Sequence, residues 1–154
     1  MKGTRYSVKV FSLRVQEAGP PQGQVNSSEE AKQILRAYFE TVRDDRERFV
    51  ALALSSKNAL IGIAEVSVGG ASASLVDPKV LFRTLLVRGA TRFILAHNHP
   101  SGDPTPSRED LTLTRQLREG GRLLELECLD HLVDRKSTRL NSSHSRASRM
   151  PSSA

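Results

Sequence analysis

A chain of 154 residues with 38% apolar and 26% charged residues has the composition of a globular protein with one modest core, which argues against a disordered polymer. No apolar run approaches the roughly 20 residues needed to cross a bilayer, and the start, Met1-Lys2-Gly3-Thr4-Arg5-Tyr6, lacks the apolar stretch of a secretory signal, so a cytoplasmic location is expected. The net charge of +6 invites a nucleic-acid reading, but five of the 23 basic residues and none of the 17 acidic ones fall in residues 135–154, leaving the rest close to neutral.

The stretch from Arg5 to Val15 nearly alternates Val, Phe and Leu with polar residues, as a strand does, and Gly19-Pro20-Pro21-Gln22-Gly23 breaks it. Ser27-Ser28-Glu29-Glu30 has the form of a capping box. It opens a helix whose apolar face is Ile34, Leu35, Tyr38, Phe39 and Val42. The charged run Arg43-Asp44-Asp45-Arg46-Glu47-Arg48 then reads as a solvated connection.

Phe49 to Leu54 and Ala59 to Val68 are apolar and β-prone, with turn-forming Ser55-Ser56-Lys57-Asn58 between them, so a hairpin of central strands is expected. Gly69 to Ser74 is a small-residue connection. Asp77-Pro78 supplies a helix cap with Pro at the first helical position, Val80, Leu81, Leu85 and Leu86 would face the core, and Gly89 would stop the helix.

Thr91 to His97 is a strand that runs into the loop Pro100 to Pro106. Ser107 caps a further helix with Leu111, Leu113 and Leu117 as its apolar positions and Gly120-Gly121 as its end, and a last strand is expected between Leu123 and Val133. The order β-α-β-β-α-β-α-β predicts an α/β fold with a mixed sheet flanked by helices. Residues 137–154 hold seven Ser and show no hydrophobic periodicity, so the tail 135–154 is expected to be disordered. Its string from Ser137 resembles translated sequencing-adapter or vector sequence, which would make it an artefact.

The single Cys128, between Leu126 and Leu129, cannot close an internal disulfide and reads as a small core residue. Any metal must therefore use His and carboxylates. On a strand, residues two apart share a side, so His97 and His99 can present both imidazoles to one ion while Asn98 faces away. Asp110 lies in the first turn of the following helix. Two neutral His and one carboxylate form a zinc ligand set that leaves the fourth tetrahedral position to water. The same residues also fit a plain turn whose histidines only hydrogen-bond, with Asp110 completing a helix cap. Spacing alone does not separate the two.

The run His97-Asn98-His99-Pro100-Ser101-Gly102-Asp103-Pro104-Thr105-Pro106-Ser107-Arg108-Glu109-Asp110 resembles the JAMM motif of MPN/JAB-domain metallopeptidases. More narrowly, Asn98 to Gly102, Pro106-Ser107, Thr114 and Leu129-Asp130-His131 resemble the bacterial RadC family, over roughly residues 47–133. The resemblance implies a RadC-like MPN/JAB domain over 47–134, preceded in 1–46 by the strand and helix that lead into it. It also implies one Zn2+ per chain held by His97, His99 and Asp110, with peptide or isopeptide substrates. An upstream Glu is part of the pattern. Glu65, in the apolar strand Ile61 to Ser67, stands at the matching place and would be the general base, with Ser107 assisting the oxyanion. His131 is expected to be a structural histidine.

A zinc hydrolase is thus the first expectation. A DNA-repair or mobile-element accessory role of the RadC family and a non-catalytic MPN scaffold are the alternatives. The helix-hairpin-helix region that the resemblance implies for full-length members has no counterpart here, so nucleic-acid binding is not expected of this chain. Family likeness ends near Val133, where a terminal strand is expected, which would leave a sheet edge unpaired.

Overall fold

A computed structural model describes residues 23–42, 46–69, 76–99, 105, 107–135 and 140–142. The strand expected over Arg5 to Val15, most of the Gly69–Ser74 connection and most of the Pro100–Pro106 loop lie outside these residues.

Helix α1 spans Ser28–Thr41; the Ser27 hydroxyl accepts the Glu30 N–H, and Glu30 reaches back to the Asn26 N–H at 2.7 Å. Strands β1 (Arg48–Leu54) and β2 (Leu60–Val68) form the expected hairpin. Helix α2 (Pro78–Val87) starts at the Asp77 cap and stops where Gly89 takes up the left-handed conformation, φ +70°. Then come β3 (Arg92–His99), α3 (Arg108–Leu123), β4 (Glu127–Arg135) and a short β5 (Leu140–Ser142).

The sheet order is β2-β1-β3-β4-β5. β1 is antiparallel to β2 and β3, β3 and β4 run parallel, and β5 is antiparallel to β4. The fold is α/β with a mixed sheet. The parallel pair is joined through α3, as such a pair needs a crossover. Alternation divides the core in two. Phe49, Ala51, Ala64, Phe93 and Leu95 point to the face covered by α2 and α3 with Leu81, Leu85, Leu113 and Leu117. Val50, Leu52, Ile94, Ala96 and Leu132 point to the other face, where α1 contributes Ala31 and Leu35. Helix α1 therefore covers a face of the sheet and is more than a lead-in to it. No helix among the described residues is long and apolar enough to cross a membrane.

Three local expectations are corrected. Leu86 and Leu111 are exposed instead of facing the core, because Leu81 with Leu85 and Leu113 with Leu117 already fill the one stripe that each helix turns inward. The helix does not end at Gly120-Gly121. It continues to Leu123, and the Leu126 N–H then returns to the Gly121 carbonyl at 2.7 Å. Gly121 serves close packing: a Cβ there would lie 2.6 Å from the Leu126 carbonyl oxygen and 3.2 Å from the Phe93 ring. The tail expected to lack structure from residue 135 contains β5, whose backbone pairs with Leu132, Val133 and Asp134. An open strand edge offers main-chain donors and acceptors to almost any sequence, so side-chain periodicity is not needed for such pairing.

Candidate metal centre

β3 ends in His97-Asn98-His99, and the two-residue period turns both histidines toward the α3 face. His97 is fully enclosed, stacked on Phe49, its registered partner on β1. α3 starts alongside. Ser107 and Asp110 form a reciprocal capping box: the Asp110 N–H donates to the Ser107 hydroxyl at 3.1 Å, and the Ser107 N–H donates to Asp110 Oδ2 at 2.8 Å. This cap fixes the carboxylate at the end of β3.

The three predicted ligands come together. His97 Nε2 lies 3.0 Å from His99 Nε2, Asp110 Oδ1 lies 3.5 Å from His97 Nε2, and Asp110 Oδ2 lies 3.4 Å from His99 Nε2. The remaining ring nitrogens explain the protonation pattern. Thr114 donates its hydroxyl proton to the Asp110 carbonyl at 2.7 Å, so toward His131 Nδ1, which it also contacts, it can only accept. His131 then carries its proton on Nδ1 and accepts through Nε2 from His97 Nδ1, 2.7 Å away. That leaves the His97 Nε2 lone pair aimed at His99. On His99, Nδ1 faces the Glu47 carboxylate at 3.5 Å, which favours a proton there and again leaves Nε2 bare.

Two bare imidazole nitrogens 3.0 Å apart beside a buried carboxylate repel one another unless a cation sits among them. Zinc ligand bonds of about 2.0–2.1 Å at tetrahedral angles put ligand atoms about 3.3 Å apart, close to the separations here. The donor set therefore fits zinc. Burial alone would favour a neutral Asp110, but a positive charge at His97 Nε2, whether a proton or an ion held there, and the bonds of the Ser107 cap outweigh it and hold the carboxyl well below the usual carboxylate range. It is ionised as a ligand must be.

Glu65 is not at this site, and its assignment as the base is corrected. On β2, Ala64 faces α2 and α3, so Glu65 faces α1. There it accepts a hydrogen bond from the Tyr38 hydroxyl and an ion pair from Arg48 Nη1 at 3.2 Å. Burial, with the carboxylate second, pushes the Tyr38 phenol up to about 12. Among the described residues, the acid besides Asp110 that reaches this pair is Glu47, beside His99, from the charged run read as a solvated connection. β1 and β3 pair Phe49 with His97, and extending that register by two brings Glu47 beside His99. Knowing that β1 neighbours β3 would have exposed it. His131, expected to be a structural histidine, is fully buried with both ring nitrogens in hydrogen-bond contact, one with His97 and one with Thr114.

A family profile described as RadC-like JAB domain matches residues 25–147, most of the chain. The chain belongs to the RadC-like JAB-domain family. Among its relatives are UPF0758 proteins of Desulforamulus reducens, 47% identical over 107 residues, and Symbiobacterium thermophilum, 53% identical over 87 residues. A third, from Methanosarcina mazei, is 40% identical over 103 residues. The alignments cover 68%, 56% and 66% of this chain but 47%, 37% and 45% of those proteins, so the chain spans under half the length of the relatives it matches. The RadC-like match includes α1 and β5, which lie outside the 47–134 boundaries expected from the resemblance.

Proposed function

We propose that this chain is a zinc-dependent hydrolase of the JAMM type acting on an amide bond, peptide or isopeptide. The observation that carries the reading is the convergence of His97 Nε2, His99 Nε2 and the buried carboxylate of Asp110 on one point. These three residues would hold the ion. Zinc bound there would supply a Lewis acid for the scissile carbonyl and bring the pKa of a coordinated water to about 7.

The chain's own residues handle the protons. The Glu47 carboxylate, half-buried and 3.5 Å from His99 Nδ1, takes the proton of the attacking water and returns it to the leaving amine nitrogen. The Ser107 oxygen accepts from Asp110 N–H, so its own proton is available to the oxyanion that develops on the substrate carbonyl. Ser107 is exposed and can meet an incoming substrate. Residues 1–134 are nearly neutral, so the reading includes no nucleic-acid partner. A lone Cys128 suits a reducing compartment, and we place the activity in the cytoplasm.

Elemental analysis beside hydrolysis of a peptide and isopeptide panel tests the reading. One zinc per chain is expected, abolished in His97→Ala and Asp110→Ala, while Glu47→Gln keeps the metal and loses hydrolysis. A folded chain that takes up no zinc would sink the proposal.

A further inference from the structure

Asn98 stands between the two histidine ligands, and alternation turns its side chain away from them. It nonetheless controls the neighbourhood of Glu47. Its Oδ1 accepts the backbone N–H of Arg48 at 2.6 Å, and its Nδ2 donates to the backbone carbonyl of Arg46 at 3.2 Å. Those are the residues on either side of Glu47. The β1–β3 ladder pairs residues only as far as Phe49 and His97. One step beyond, the Asn98 amide takes the place of a strand backbone, offering one acceptor and one donor at the spacing of a peptide group.

Glu47 is held from other directions as well. Its carbonyl accepts the N–H of Gly69, the residue that follows β2, at 2.8 Å, so the same residue is gripped from the opposite side. The neighbouring Arg48 side chain, buried on the α1 face, is tied to Glu65. With Arg48 committed to that face, the strand period sends Glu47 to the metal face. Beyond the end of the ladder, the Asn98 amide ties the main chain of this segment to the ligand-bearing strand.

We infer that Asn98 is a positioning residue: by clasping the main chain on both sides of Glu47 it aims that carboxylate over the site formed by His97, His99 and Asp110. The inference rests on the reading of Glu47 as the base. The ligands and the base are thereby placed by one tripeptide, two residues through their rings and the middle one through its amide. Any small polar residue would tolerate the exposure of Asn98, but only an amide of this length supplies both bonds. The change Asn98→Asp would keep the acceptor for Arg48 and set a carboxylate oxygen against the Arg46 carbonyl.

The test uses the full metal-free chain, Co2+ as probe, and the variants Asn98→Ala, Asn98→Asp and Glu47→Gln. In Asn98→Ala the Arg48 amide should exchange with solvent about tenfold faster or more, since its acceptor is gone. Its Co2+ dissociation constant should stay within about threefold of the wild type, because no ligand is lost. Its visible Co2+ spectrum should match that of Glu47→Gln, and the double variant should add no further change. Asn98→Asp should keep slow Arg48 exchange yet shift the spectrum toward that of Glu47→Gln, and it carries the test if Asn98→Ala does not fold.

A purely structural Asn98 would lower the melting temperature and leave the Co2+ spectrum as in the wild type; that result, with Glu47→Gln altered, overturns the inference alone. A wild-type chain that binds no Co2+, or a Glu47→Gln spectrum identical to the wild type, overturns the hydrolase reading, and the role of Asn98 falls with it.

Discussion

His97 Nδ1 lies 2.7 Å from His131 Nε2, and that bond faces directly away from the nitrogen that meets His99. Hydrogen bonds of this kind fix the tautomer of a ligating imidazole, and their loss commonly costs about 10–100-fold in metal affinity. His131→Ala should weaken zinc binding by about that range. His131→Gln, whose carbonyl can still accept from His97, should recover part of the loss. Competition with a chromogenic chelator measures both, and equal losses in the two variants would reduce His131 to a packing role.

The two acidic residues near this centre should respond oppositely. Glu47→Gln should abolish hydrolysis without releasing zinc. Glu65→Gln should leave both intact and cost at most about 1 kcal/mol of stability, because the carboxylate it alters is half exposed and its ion pair is partly screened. Activity, metal content and urea midpoints of the two variants decide the matter.

Gly121 and Gly120 are neighbours in α3 with different prospects. Alanine at 121 would press its Cβ against the Leu126 carbonyl, a backbone atom that cannot turn aside, and should destabilise by about 1–3 kcal/mol. Among the described residues, alanine at 120 meets only the Phe82 ring, at 3.0 Å, which can give way. The helix gains up to about 1 kcal/mol from losing a glycine there, so the change should be close to neutral. Urea midpoints of the two variants should therefore separate clearly.

Folding lowers the Asp110 pKa, so the stability contributed by its ionised form is complete above the unfolded value of about 3.9 and is lost as pH falls below it. In zinc-free protein the stability gap between wild type and Asp110→Asn should narrow as pH falls below about 4. A gap that widened with acidification would reverse the assignment.

Burial pushes the Cys128 thiol up to about 12. The native chain should resist a thiol-specific reagent at pH 8 and react with one equivalent in guanidinium, as followed by absorbance. Prompt native labelling would show that the core around β4 opens.

Much of this protein is written in short-range patterns. Ser27, Asp77 and Ser107 cap helices where their spacing to later residues demands, and the β1–β2 hairpin follows from two β-prone runs around Ser55 to Asn58. The two-residue period of a strand puts His97 and His99 on one side, and the box between Ser107 and Asp110 needs only three residues. These are local because their partners lie within a few bonds' reach. Which acidic residue meets the histidines is not local. Glu47 and Glu65 both sit at strand ends or edges, and period alone cannot say which face either shows, since a slip of one residue exchanges the faces. The choice was made by β1 lying between β2 and β3, by the register that pairs Phe49 with His97, and by Arg48 reaching Glu65 on the α1 side. The same holds for His131, 34 residues from His97 in sequence, which became its partner only because β3 and β4 run parallel and adjacent.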